Sequence, residues 1–447
     1  MAESESRFLH GAGMWSCCAE APDGSIYCLP GNARRILRFT DELELWGPDL
    51  GEETWKWTVA ILGSDGSIWG IPGNETRVLC ITADGRVEFV GPPLEGQQKW
   101  HAALLAPDGC IYAPPCDAGQ VLRIDCANHA VSLIGPVMGG VGKYCSCALA
   151  DGYIYCPPNH AAQVLRIAVG SRRFQLVDTI GPDLRFGGGG GYVCCATSSD
   201  GRSVYCPPFS ARHTICICDG RVELVGETPE TMAHQWRSAL RARDGCIYAI
   251  PCNASRVLKV DQQGVLRLVG PEWPSAPAPE GLEKWRGGVE LGDSIYGIPS
   301  HAKQILRIKT GDEALSSPSF EQLQAEQQRA ELDAEKNLKP VEGQEAPSSM
   351  EEEEEDFDSE IEDVEDWPLE ECDGVSLWGP VLGQKWTRKN KWRSVLAGRG
   401  QCCAPPYYCG QMLYVDTSRP EEEAVQLLGE APPKPPKKVF VPLPDEE

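Results

Sequence analysis

The sequence predicts an all-β protein, a β-propeller of eight four-stranded blades with a disordered acidic insert, and three observations carry that expectation. Near-copies of residues 244–261, DGCIYAIPCNASRVLKVD, recur along most of the chain. Taking the proline of that stretch as an anchor gives Pro30, Pro72, Pro115, Pro158, Pro208, Pro251, Pro299 and Pro406, the first seven spaced 42 to 50 residues apart. The composition, 42% apolar with 47 Gly and 36 Pro in 447 residues, suits a turn-rich β protein.

Each unit opens on an aromatic that marks an inner strand: Trp15, Trp57, Trp100, Tyr144, Tyr192, Trp236, Trp285 and Trp392. A D-G turn follows in the first six units, from Asp23-Gly24 to Asp244-Gly245, the strongest short-range hairpin signal a sequence offers. Next comes an aliphatic–aromatic pair such as Ile26-Tyr27 or Ile111-Tyr112, opening a strand that ends at the anchor proline, where a missing N–H costs little. Six residues past each anchor begins a strand of type V-L-x-I, as at Val121-Leu122 and Val257-Leu258. V-x-L-x-G-P closes the unit, as in 131–136 and 375–380. Four strands in 40 to 50 residues read as one blade. A single blade leaves both faces of its sheet apolar, and stacking blades around an axis buries them.

The seventh unit breaks off after Ile305-Leu306-Arg307-Ile308 and resumes at Asp373-Gly374-Val375. The eighth lacks the D-G turn and the aliphatic–aromatic pair but keeps Trp392, Pro406 and Met412-Leu413. Eight blades are expected, with seven the alternative, and Lys438 to Val441 could supply a closing strand. The expected organisation is blades 1 to 7 over 10–310, the acidic insert over 311–371 with a short helix at 319–338, the end of blade 7 and blade 8 over 372–430, and a Pro/Lys-rich tail over 431–447.

The net charge of −24 is concentrated in the insert. Residues 311–371 hold 23 Asp or Glu against Arg329, Lys336 and Lys339, a net of −20. The blades are therefore almost neutral, without the basic footprint of a nucleic-acid binder. Such charge density with few apolar residues forms no core, so disorder is expected. Within the insert Phe357, Ile361 and Val364 fall at i, i+4 and i+7, with Trp367 beyond, a spacing that suits a helix ordering in a partner's groove. A solvated acidic loop is the plainer reading of the same residues.

The start of the chain carries no apolar run of signal-peptide length, and no later run is long enough to span a bilayer. A cytoplasmic setting follows as the expectation, with the 21 cysteines as reduced, packed thiols and no membrane partner. No HExxH, GxSxG or phosphate-loop motif is present. Two residues after the anchors stand Asn32, Asn74, Asp117, His160, Ser210, Asn253 and His301. They read either as turn-stabilising groups or as a polar binding ring on the face opposite the insert. Eight residues after the anchors, Arg38, Arg123, Arg166, Lys259 and Arg307 enter packed strands and need partners, expected from a neighbouring blade's Asp or a repeated aromatic.

The units resemble β-propeller repeats of the kelch and NHL kind, in the register D-G-x-I-Y-x-I-P followed by V-L-x-I, over about 10–310 and 372–430. They depart from kelch in lacking its Gly-Gly doublet. The resemblance implies a propeller, and with it a non-catalytic scaffold for a protein partner, monomeric and without cofactor, with the acidic loop as docking segment. The alternatives it leaves open are a lactonase or lyase with a metal in the central channel, and a carbohydrate-binding propeller.

Overall fold

The blade pattern follows from how each strand's register places its aromatic. In the computed structural model, residues 13–170, 176–185, 190–228, 233–273, 283–311, 372–382, 391–392, 395–398, 401–407 and 411–428 are described, together with Ser319, Gln322, Ala325 and Arg329. Blade 1 is an antiparallel meander of Trp15–Glu20, Ile26–Pro30, Ile36–Phe39 and Leu43–Trp46, and seven further four-stranded meanders repeat it. The opening aromatic pairs across the sheet with the anchor proline, as in Trp15↔Pro30 and Trp57↔Pro72. The register shifts immediately after it, a bulge that turns the indole out of the ladder and into the packing between blades.

There the ring donates a bond that recurs in all eight units. Indole Nε1 of Trp15, Trp57, Trp100, Trp236, Trp285 and Trp392 reaches the carbonyl oxygen five residues past its own anchor, for example Trp57 to Arg77 at 3.2 Å. Tyr144 and Tyr192 make the same contact through their hydroxyls, to Gln163 at 3.1 Å and His213 at 2.8 Å. A fully buried polar tip is thereby satisfied at each junction.

The core is divided among the junctions. Among the described residues it consists of eight apolar clusters, each shared by two neighbouring blades. Leu29 and Ile36 of blade 1 pack with Trp57, Ile68 and Leu79 of blade 2 in one of them. The closing G-P motif has a steric reason: Gly91, at φ 83°, lies so close to the outer strand of blade 3 that a Cβ there would come within 2.6 Å of Val131.

The ring closes with eight blades. Gly13 N–H donates to the Tyr407 carbonyl at 2.8 Å, and Trp15 and Cys28 share a cluster with Cys403 and Met412. Blade 8, formed by Leu396–Gly398, Gln401–Ala404, Met412–Asp416 and Val425–Leu428, is complete in itself. Among the described residues no strand is exchanged across the seam; Lys438 to Val441 lie outside them, as does the rest of the tail.

Blade 7 is built from two separated pieces. Ile305–Lys309 pairs directly with Val375–Trp378, and Lys309 N–H donates to Gly374 at 2.8 Å, so the chain between them leaves and returns on the face of the D-G turns. At the start of that excursion Ser319 bridges Arg267 on the outer strand of blade 6. Its N–H donates to the Gln322 side chain at 2.7 Å while Gln322 N–H returns a bond to Ser319 Oγ at 3.3 Å, the reciprocal arrangement of a capping box. Gln322, Ala325 and Arg329 are helical and exposed; the rest of 319–338, and Phe357, Ile361, Val364 and Trp367, lie outside the described residues.

Candidate functional site

The polar residues two past each anchor prove to be tied to strand entries. Asn32 Oδ1 accepts from Trp55 N–H at 2.8 Å, Asn74 Oδ1 from Gln98 N–H at 2.8 Å, Asp117 Oδ1 from Gly142 N–H at 2.6 Å, and Ser210 Oγ from His234 N–H at 3.5 Å. In each case the donor sits two residues before the next blade's inner-strand aromatic. Asn253 and His301 bond instead to the entry of their own blade, through Ala233 O at 3.2 Å and Glu283 O at 3.0 Å. His160 is exposed and lies over Gly142. These residues do not converge on one point; they hold the strand entries of blades 2, 3, 4, 6 and 7 in place around the ring.

What they hold is conformationally unusual. The residue two before the aromatic has φ of 65° at Gly13, 57° at Trp55, 48° at Gln98, 60° at Gly142 and 62° at His234. Glycine occupies this left-handed region freely, whereas a side chain there costs on the order of 1 kcal/mol. Units 2, 3 and 6 nonetheless carry Trp, Gln and His.

Those side chains stand on the proline face around the axial mouth, each at the start of its own inner strand. Trp55 meets Tyr407 edge to face, with centroids 6.1 Å apart, above the small residues of blade 1. His234 stacks on Phe209 at 4.3 Å, and Arg237 lies over the same ring at 5.3 Å. Gln98 Oε1 is 2.7 Å from His101 Nε2. Arg237 and Arg286 each approach Glu283 at 3.1 Å, with the side chains largely buried. Desolvation draws the His234 imidazole below its ordinary value, with Arg237 and Arg286 adding to that and Glu283 opposing it.

A second ring, not anticipated from the sequence, braces the mouth from below. The residue immediately before the aromatic is Lys56, Lys99, Lys143, Lys284 or Lys391 in five units, and all five are buried. Each ammonium donates to backbone carbonyls: Lys99 to Glu75 O at 2.9 Å and Gly96 O at 2.8 Å, Lys284 to Asn253 O at 3.0 Å, and Lys391 to Ala302 O at 2.8 Å. Gln235 makes the equivalent bond in blade 6, to Ala211 O at 3.0 Å. Burial pulls the amines of Lys56, Lys99 and Lys143 down, Lys99 to about 8, with Glu75 opposing the shift there. The recurring K-W and K-Y dipeptides were the available sign.

The basic residues eight past the anchors find both expected kinds of partner, with one correction. The carboxylates come from the same blade: Arg38 pairs with Glu44 at 3.2 Å, Arg166 with Asp178 at 2.6 Å, and Lys259 with Asp244 at 3.9 Å. Arg38↔Glu44 and Arg166↔Asp178 stand directly opposite on adjacent strands. Ring faces add to these pairs, with Lys259 5.1 Å from the Tyr248 centroid.

Among the described residues no three His, Cys, Asp or Glu side chains converge as a metal-ligand set. No helix among them is long and apolar enough to cross a membrane.

No family model matches the chain, and no curated protein matches it. Solved structures of similar shape include a streptogramin B lyase, 12% identical, with a TM-score of 0.49 over 64% of this chain and 91% of that one. A virginiamycin B lyase from Staphylococcus aureus is 11% identical, with a TM-score of 0.48 over 65% and 94%. A putative 6-phosphogluconolactonase from Bacteroides uniformis is 16% identical, with a TM-score of 0.42 over 57% and 83%. Likeness at this level transfers no site and no chemistry.

Proposed function

We propose that this propeller is a non-catalytic scaffold that holds a protein partner at the axial mouth of its proline face, as a cytoplasmic monomer of kelch- or NHL-like repeats. The observation that carries the reading is the retention of Trp55, Gln98 and His234 at positions where glycine is the unstrained residue. Strain of this kind persists where the side chain is used. The mouth also concentrates Trp, Tyr and Arg, the residues that dominate binding energy at protein interfaces. Each sits on a rigid blade entry, which limits the entropy lost on association. The acidic segment, leaving from the opposite face, serves in this reading as a separate docking element through Phe357, Ile361, Val364 and Trp367.

A photo-crosslinking residue at Gln98, compared with one at Phe89 on the exposed outer strand of blade 2, tests the assignment in cells. A discrete adduct formed from position 98 and not from 89, and lost in Trp55→Gly, is the expected result. Adducts of equal yield from both positions, unchanged by Trp55→Gly, would overturn it.

A further inference from the structure

We propose that Cys116 and Cys145 form a peroxide-responsive thiol pair that closes to a disulfide across the junction between blades 3 and 4. The fold brings the residue after each anchor proline to the residue after the next blade's inner aromatic, as Phe209 and Arg237 show at the junction of blades 5 and 6. Of the eight junctions, the one between blades 3 and 4 alone has cysteine in both places. The two Sγ atoms lie 3.9 Å apart. Closing to a bond of about 2 Å therefore needs a side-chain shift of about 2 Å, within reach of χ1 adjustment on two rigid strand ends.

The two thiols have different surroundings, and this assigns their roles. Cys145 is partly exposed at the mouth, while Cys116 is buried. The Cys145 thiol bonds with Cys116 and accepts from Asn159 Nδ2 at 3.5 Å, and the Cys116 bond together with the Arg237 charge holds it below the ordinary range against the opposing effect of burial. Cys116 is pushed up, first by that same bond and then by burial. Elsewhere, the thiols of Cys156 and Cys194 are buried and raised, which makes them poor nucleophiles.

The chemistry balances with a hydroperoxide as oxidant. The Cys145 thiolate attacks the terminal oxygen of ROOH; an S–O bond forms, the O–O bond breaks, and the departing alkoxide takes a proton to leave as ROH. The Cys116 thiol then gives up its proton and attacks the Cys145 sulfenic sulfur, forming S–S and expelling water. Two thiols lose two electrons and the peroxide gains them; a cellular dithiol reverses the step.

The test uses the full-length reduced chain, one equivalent of hydrogen peroxide at neutral pH, alkylation and peptide mapping. The expected result is a Cys116–Cys145 disulfide formed at least tenfold faster than any change at the exposed Cys372. In Cys116→Ser, Cys145 should stop as a sulfenic acid that dimedone traps. Earlier oxidation at Cys372 or at another pair overturns the proposal, and so does a Cys145 in Cys116→Ser that reacts no faster than Cys372. If Cys116→Ser misfolds, mapping of the unaltered protein decides alone. Neither result depends on whether a partner occupies the mouth.

Discussion

Trp55, at the entry to blade 2, and Tyr407, in blade 8, meet edge to face across the intervening blade 1 with ring centroids 6.1 Å apart. Blade 1 has glycine at two positions beside this contact, Gly13 and Gly31. A Cβ at Gly31 would come within 2.6 Å of the Gly13 carbonyl, and one at Gly13 would come within 3.6 Å of the Tyr407 ring. Gly31→Ala should therefore destabilise the seam between blades 8 and 1 by roughly 1–3 kcal/mol, the range for overpacking a filled site, seen as a lower urea midpoint.

Trp55→Gly should act in the opposite sense. With φ at 57°, glycine relieves backbone strain, although it also frees the unfolded chain. The melting temperature should stay within a few degrees of the parent while partner capture is lost. A large drop in melting temperature would mean that the indole serves packing, not recognition.

The indole bond of the blade junctions predicts an order of tolerance. Trp57 is fully buried and donates to Arg77 O, as Tyr144 and Tyr192 donate to their own equivalents through hydroxyls. Trp57→Tyr should thus be less harmful than Trp57→Phe, by about 1–2 kcal/mol, the cost of leaving a buried carbonyl unpaired. Chemical denaturation of the two variants side by side measures the difference.

Alkali should unfold the ring. Burial raises the thiols of Cys28, Cys147, Cys156, Cys194 and Cys206, with a Cys18 bond as the leading cause for Cys28. Their folded values exceed the unfolded one, so the stability they carry is complete below about pH 8.5 and is lost as pH rises beyond it. Urea midpoints measured from pH 7 to 10 should fall steadily above pH 8.5.

Lys99 should pull the other way. Its folded value of about 8 lies below that of a free lysine, so the unfolded chain holds the extra proton between about pH 8 and 10 and the lysine's contribution to stability rises through that window. Below pH 8 the buried charge costs up to about 3 kcal/mol before its carbonyl bonds are counted. Lys99→Gln, copying Gln235, removes this dependence. The stability of the parent relative to the variant should increase with pH from 8 to 10, and a constant difference would show that the amine stays charged when folded.

The blades were legible because their causes are local. A turn dipeptide, a proline at a strand end and an apolar pair at fixed offsets leave a residue-type record, and even the interrupted blade 7 kept its register at Val375. The braces at the blade junctions were not legible in the same way. Lys56 and Lys99 look like surface residues in a hydrophobicity pattern, and their acceptors are main-chain carbonyls, which any residue supplies. Asn32 and Asn74 could be read as turn formers, which they are. That their bonds cross to the next blade and fix Trp55 and Gln98 is a fact of ring closure, and no single unit contains it. Arg38 and Arg166 were matched to the right chemistry but assigned to the wrong sheet, since sequence order does not say which carboxylate stands directly opposite.

The split in blade 7 means that its sheet does not depend on an unbroken chain between Lys309 and Val375. A protease cutting anywhere in 312–371 would leave two polypeptides, one of more than six complete blades and one of little more than a single blade. They would stay associated through the ladder of Ile305–Lys309 with Val375–Trp378 and the packing on either side. Mixing the two halves, made separately, should rebuild the ring by strand addition.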